Sequence, residues 1–177
     1  MIELTAHRLQ ERMEEDRRMQ PQTPTRLRSL LMLATLVLVC QLAGASGALV
    51  TDASFYRALV RPLWAPPGWV FGPVWVTLYM MMGVAAWLVW RTGTGRRRAL
   101  TWFGAQLILN AAWTPVFFGF HAIGAGLVVI VLLELAIVGT MLAFARRSRL
   151  AALLLVPYAA WVGFAAVLNG ALWTLNR

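Results

Sequence analysis

The sequence predicts an all-α integral membrane protein built as a bundle of five transmembrane helices. Three observations predict it. Of the 177 residues, 60% are hydrophobic and 13% charged, which is more apolar surface than a water-soluble domain of this size can bury. Five continuously apolar runs are each close to the ~20 residues that a helix rising ~1.5 Å per residue needs to cross ~30 Å of hydrocarbon. The arginines lie between those runs and not on a soluble face, so the net charge of +9 reads as a topology signal and not as a nucleic-acid surface. Shorter alternating segments would be needed for a membrane barrel.

The first 29 residues form a polar extension in which acids and arginines alternate before Pro21 and Pro24. A short surface helix around Leu9 to Met19 and a disordered tail are both compatible with that pattern. It is too long and too acidic for a secretory signal, even though small residues follow the first apolar run. Residues 30–177 make the transmembrane domain, with helices expected at about 30–50, 69–90, 100–120, 123–144 and 150–172. In the first of these, Ala43, Gly44, Gly47 and Ala48 supply a flat face for close packing of a neighbour.

The connection 51–68 is the long one, stiffened by Pro62, Pro66 and Pro67, and is expected to act as a lid over the outer end of the bundle. The other connections are short, so successive helices run antiparallel. Arg26, Arg28, Arg91, Arg96, Arg97, Arg98, Arg146, Arg147 and Arg149 then share one side, against Arg57, Arg61 and Arg177 on the other. By the positive-inside rule the N-terminus is cytoplasmic and the proline-rich loop faces outward; a helical protein without a cleaved signal is expected by default in the plasma (inner) membrane.

Tryptophans 87, 90, 102 and 173 fall near helix ends, where amphipathic rings favour the headgroup level. Trp75, Trp113 and Trp161 lie deeper, about 7 to 11 residues or roughly 10 to 16 Å below the outer ends, where an indole N–H needs a partner. Phe71, Trp75 and Tyr79 repeat every four residues as one stripe, and Gln106, Asn110 and Trp113 form another, placing amides beside an indole. Two readings remain open from spacing alone. The amides hold neighbouring helices together, or they and the aromatics wall a pocket for a flat, largely apolar ligand.

Glu134 is the one acid inside an apolar run, and no cation lies at its depth. It is either protonated or bonded to a hydroxyl such as that of Thr140 or to a second subunit. A structural or dimer-contact role and a ligand or proton role are both open to it. The single cysteine, Cys40, excludes an internal disulfide and a thiolate metal site. No catalytic constellation or metal-ligand spacing is present, and His121, in a tight loop with no second ligand, reads as a surface residue.

Pro62, Trp64, Pro66, Pro67, Trp69, Phe71, Trp75, Leu78, Tyr79 and Gly83 together resemble the signature of the tryptophan-rich sensory protein family, which includes the mitochondrial translocator protein or peripheral benzodiazepine receptor. Gln106, Leu107, Asn110, Trp113, Pro115, Phe117, Phe118 and Gly119 resemble its third-helix motif, and Pro157, Tyr158, Trp161, Ala165, Leu168 and Asn169 its fifth. The likeness runs from about Leu30 to Arg177. It implies a five-helix bundle, a homodimer, and a pocket under the first loop for porphyrins such as protoporphyrin IX and haem, for benzodiazepine-type compounds and, in some members, for cholesterol. No obligatory cofactor follows; the tetrapyrrole is the ligand, and lipid is the other partner. Some family members reside in outer membranes.

The resemblance assigns Trp64, Trp75, Tyr79, Asn110, Trp113, Trp161 and Ala165 to the pocket, to which the stripes add Phe71 and Gln106. It implies a sensor, with porphyrin or lipid transport and light-dependent porphyrin breakdown through Trp75 and Trp161 as alternatives. Four positions depart from the pattern. Gly170 and Thr174 stand where the cholesterol motif needs a tyrosine and a basic residue, Glu134 stands where an uncharged residue is expected, and Phe55 replaces a tryptophan common in bacterial members.

Overall fold

The computed structural model describes residues 25–177, and among them every regular element is helical. The surface helix expected around Leu9 to Met19 lies outside the described residues. Among the described residues seven α-helices follow one another: α1 (Arg26–Ala48), α2 (Ala53–Ala58), α3 (Phe71–Trp90), α4 (Arg97–Thr114), α5 (Ile123–Ala145), α6 (Arg149–Leu154) and α7 (Val156–Leu175). A 3-10 turn, Gly68–Val70, leads into α3, and a π turn, Pro115–Gly119, ends α4.

Four spans are long and apolar enough to cross a membrane: Arg26–Ala48, Gly68–Trp90, Ile123–Ala145 and Arg149–Leu175. Helix α4 is not one of them, because Arg97, Arg98, Gln106 and Asn110 interrupt its apolar character. Length and apolarity therefore support four of the five expected spans. The α1 helix also starts at Arg26, four residues ahead of its apolar run, since a helix continues through its charged end wherever nothing breaks it.

Two prolines reshape the expected helices. Pro157 has no N–H for the Leu153 carbonyl, and its ring crowds that carbonyl, so the run 150–172 is interrupted at Leu155 and becomes α6 and α7. Pro115 acts in the same way on α4. Its own carbonyl then accepts from Phe120 N–H at 2.9 Å, five residues on, which widens the turn and carries Phe117 and Phe118 around the outer end of the helix.

The long helices close into a ring in which α1 packs between α3 and α4, α4 against α5, and α5 against α6 and α7, which return to α3. Small residues set the close approaches, as packing without a water-driven force between helices requires. Gly44 lies against the Tyr79 ring and Gly47 against the Thr114 side chain, so the flat face read from the sequence is used. At Gly83 the α1 backbone itself comes in, with Val37 Cα 2.6 Å from where a Cβ would stand.

The outward surface is apolar. Ile108, Val128, Leu135, Leu142, Leu153 and Val167 are each more than half exposed, as lipid contact requires. At the helix ends, guanidinium groups sit over indoles: Arg91 lies 4.7 Å from the Trp87 ring and Arg177 lies 4.0 Å from that of Trp173. Such cation–π contacts hold the guanidinium groups against the indole faces.

Candidate ligand pocket

One cavity of about 900 Å³ opens in the half of the bundle next to segment 51–68. Seven of the nine residues expected there line it: Phe71, Trp75, Tyr79, Asn110, Trp113, Trp161 and Ala165. The stripe on α3 behaves as its four-residue spacing dictates, with Trp75 stacked on Tyr79 at 5.3 Å between ring centres and Phe71 edge-on to Trp161 at 5.7 Å. Trp113 stacks on Phe117 at 5.0 Å across the π turn.

The other two residues lie elsewhere. Trp64 is half exposed and packs edge-on against Phe164 at 6.0 Å, outside the lining. Gln106 is buried one turn below Asn110, where its Oε1 accepts from the Tyr158 hydroxyl at 2.8 Å. Helical spacing put Gln106 on the right face but a turn too deep for the cavity.

The floor of the cavity is a hydrogen-bonded chain across three helices. Tyr79 donates its hydroxyl proton to Asn110 Oδ1, Asn110 Nδ2 donates to the Tyr158 hydroxyl at 2.9 Å, and Tyr158 donates to Gln106 Oε1. Each hydroxyl and carbonyl is used in the sense its chemistry allows. Asn110 thus serves the tyrosines and not the neighbouring indole, as the stripe suggested. Trp113 Nε1 instead donates to Asn169 Oδ1 at 3.3 Å, and Asn169 Nδ2 donates to the Ile123 carbonyl at 2.8 Å.

Three further expectations meet different outcomes. The indole N–H of Trp161 is buried with no protein partner, although its depth demands one. Thr140 donates to the Ala136 carbonyl in its own helix at 2.7 Å, so it is not the partner of Glu134. Glu134 is half-buried on α5, and its Oε2 and the Nε2 of Gln106 are both left without a hydrogen bond. Tyr158 was not singled out from the sequence as a site residue. The signal was present, because a tyrosine inside an apolar run needs a partner for its hydroxyl as much as a tryptophan does for its N–H.

Segment 51–68 covers the end of the bundle formed by the π turn and the C-terminal part of α7. Its Phe55, Tyr56, Leu59 and Ala65 pack around Phe117, Leu168 and Leu172, and it is fastened at two places. Asp52 caps α2 by accepting from the Ser54 and Phe55 backbone N–H groups, and it also accepts from the Ser54 hydroxyl. Those bonds, led by that hydroxyl, hold its carboxyl down to about 2. Asp52 Oδ2 lies 3.3 Å from His121 Nε2, and Phe55 stacks on the His121 ring at 4.2 Å. His121 sits in the α4–α5 turn with φ at 53°, a left-handed conformation that tight turns impose. Here Phe55 supplies a stacking face where the family resemblance expected a larger indole.

At the far end, Asn176 accepts from Val60 N–H at 2.9 Å and donates to the Val60 carbonyl at 3.0 Å. Replacing Asn176 by alanine removes both bonds and should loosen the segment without touching the cavity wall. The expected result is a severalfold faster ligand release, measured by stopped flow, with helix content by circular dichroism unchanged. Unaltered release would show that this fastening does not control access.

The family model described as TspO/MBR matches residues 36–174, which span the ring of helices and the cavity. The chain belongs to the TspO/MBR family. The tryptophan-rich protein TspO of Chlorobaculum tepidum is 44% identical over 155 residues, covering 84% of this chain and 98% of the relative. Protein CrtK of Rhodobacter capsulatus is 37% identical over 151 residues, 84% of this chain and 94% of the relative. The human translocator protein is 44% identical over 127 residues, 70% of this chain and 75% of the relative. Family membership and the apolar spans together make this an integral membrane protein, one of the TspO/MBR sensory and translocator proteins.

Proposed function

We propose that this TspO/MBR protein is a membrane receptor and sensor for tetrapyrroles such as protoporphyrin IX and haem, and for flat synthetic ligands of the benzodiazepine type. The cavity carries the proposal. Its volume of about 900 Å³ is at the upper end of the ~300–1,000 Å³ usual for small-molecule sites, and its wall is aromatic with few polar groups. Trp75 and Trp161 stack on and edge the ring system, Phe71 and Trp113 complete the apolar wall, and Tyr79 and Asn110 offer polar edges. Ala165 keeps α7 thin beside the ligand. Segment 51–68 is the lid.

In this reading α4 is the fifth span despite its polar residues, because packing within the ring buries Gln106 and Asn110 and leaves Ile108 facing out. The arginine distribution supports an N-terminus on the cytoplasmic side of a bacterial plasma membrane, with the lid outside. The protein acts as a homodimer in lipid. Purification from native membranes, with the bound pigment identified by absorption and mass spectrometry, tests the proposal. A tetrapyrrole copurifying with the protein is the expected result, and a colourless preparation that also fails to bind added protoporphyrin IX would overturn it.

A second reading, transport across the bilayer, is favoured by Glu134, whose Oε2 is buried without a partner in an apolar helix. Porphyrin flux into sealed vesicles separates the two. Flux that depends on the protein and is lost in Glu134→Gln supports a carrier, whereas binding with no flux above the lipid background supports the sensor.

A further inference from the structure

The walls of the cavity are apolar, yet Arg57 and Arg61 are among its lining residues, both on segment 51–68. Arg57 lies in the last turn of α2, and the Arg61 guanidinium stands 5.5 Å from the centre of the Tyr56 ring, another lining group. The described residues contain two acidic side chains, Asp52 and Glu134. Asp52 is committed to the Ser54 and Phe55 N–H groups, the Ser54 hydroxyl and His121, and Glu134 lies near the middle of α5, far down the bundle. Neither Arg57 nor Arg61 makes an ion pair among the described residues.

Unpaired donors accompany them. The Tyr56 hydroxyl and the Trp161 N–H, both on lining residues, are buried with no partner. On the floor, by contrast, the Asn110 amide, the Tyr79 hydroxyl and the Trp113 N–H are consumed by protein partners. The cavity is therefore apolar along its wall, while segment 51–68 brings to it two cations and one unpaired donor, the Tyr56 hydroxyl. Such an arrangement fits an amphipathic ligand with a flat apolar body inward and acidic groups outward.

We propose that Arg57 and Arg61 form an anion-binding pair at the mouth of the cavity, which selects carboxylate-bearing ligands and fixes which end of the ligand goes in first. The proposal rests on the reading of the cavity as a tetrapyrrole pocket and adds the subsite that recognises the acid side chains. Guanidinium groups suit the task because their planar forks pair with carboxylates through two parallel hydrogen bonds. Their exposure leaves the attraction sensitive to salt.

The test compares protoporphyrin IX with its dimethyl ester, which keeps the ring but has no ionised carboxyl. Binding is followed by fluorescence titration in a nonionic detergent, where no lipid phosphate competes for the arginines. The double substitution Arg57→Gln with Arg61→Gln should weaken binding of the free acid about tenfold and leave the ester within twofold. Raising salt should weaken the acid and not the ester in the unaltered protein, and Arg57→Lys with Arg61→Lys, which keeps the charge and loses the fork, should bind the acid with an affinity between those of the unaltered protein and the glutamine variant. Equal losses for acid and ester, or no loss for either, would overturn the anion pair while leaving the pocket intact. If neither compound binds the unaltered protein, the pocket reading fails and takes this proposal with it.

Discussion

Replacing Trp75 and Trp161 together by phenylalanine should weaken protoporphyrin IX binding about tenfold to a hundredfold, read as the midpoint of a fluorescence quenching titration. Each indole contributes one face of the wall: Trp75 is stacked on Tyr79, and Trp161 is held edge-on by Phe71. Aromatic contacts contribute ~0.5–1.5 kcal/mol each beyond the area they bury, and the smaller ring gives up area as well. Losing about 1.4 to 2.8 kcal/mol in total corresponds to that range in affinity. The midpoint and not the amplitude is the readout, because the chain holds nine tryptophans and the variant removes two of the reporters. An unchanged midpoint would remove both residues from the binding surface. The same variant tests light-dependent porphyrin breakdown: bleaching that continues at the original rate means that these indoles take no part in it.

Gly83→Ala should destabilise the bundle by about 1 to 3 kcal/mol, the usual range for forcing a methyl group into a packed interior. A Cβ there would stand 2.6 Å from Val37 Cα and 2.8 Å from Val37 N, and backbone of a neighbouring helix has no rotamer to yield. The α1 and α3 helices would have to separate along the contact that also seats Tyr79 against Gly44. Gly104 is the internal control. It lies inside α4 with nothing within 4 Å of an added Cβ, so Gly104→Ala should be neutral or stabilising by up to ~1 kcal/mol through helix propensity. Thermal unfolding in detergent, followed by circular dichroism, should move in opposite directions or at least by clearly different amounts for the two variants. Similar shifts would mean that helix propensity and not interhelical contact governs both sites.

Much of this architecture was legible in advance because its causes are local. Continuous apolar runs fix where helices cross lipid, and prolines 62, 66 and 67 mark the segment that is not helical beyond α2. The four-residue spacing of Phe71, Trp75 and Tyr79 fixes a common face on α3. The break at Leu155 and the π turn at Pro115 were also encoded, in Pro157 and Pro115, but an apolar run with a proline inside it still scores as one span by composition. Trp64 lies in segment 51–68, where no helical period constrains direction, and it turns to Phe164.

By itself the sequence determined that this is a helical membrane protein with an aromatic face on α3 and a proline-stiffened loop beside it, because helix periodicity and hydrocarbon thickness act on neighbouring residues. The tertiary structure alone decided which polar groups meet. Asn110 pairs with Tyr79 and Tyr158 and not with Trp113, Gln106 sits below the cavity and not in its wall, and Arg57 and Arg61 are among its lining residues. A hydrogen bond is satisfied or lost over a few tenths of an ångström, and the rotation and register of one helix against another are set by all their contacts together. Close approaches such as Gly83 on Val37 and Gly44 on Tyr79 set them here, and through them the shape of the pocket.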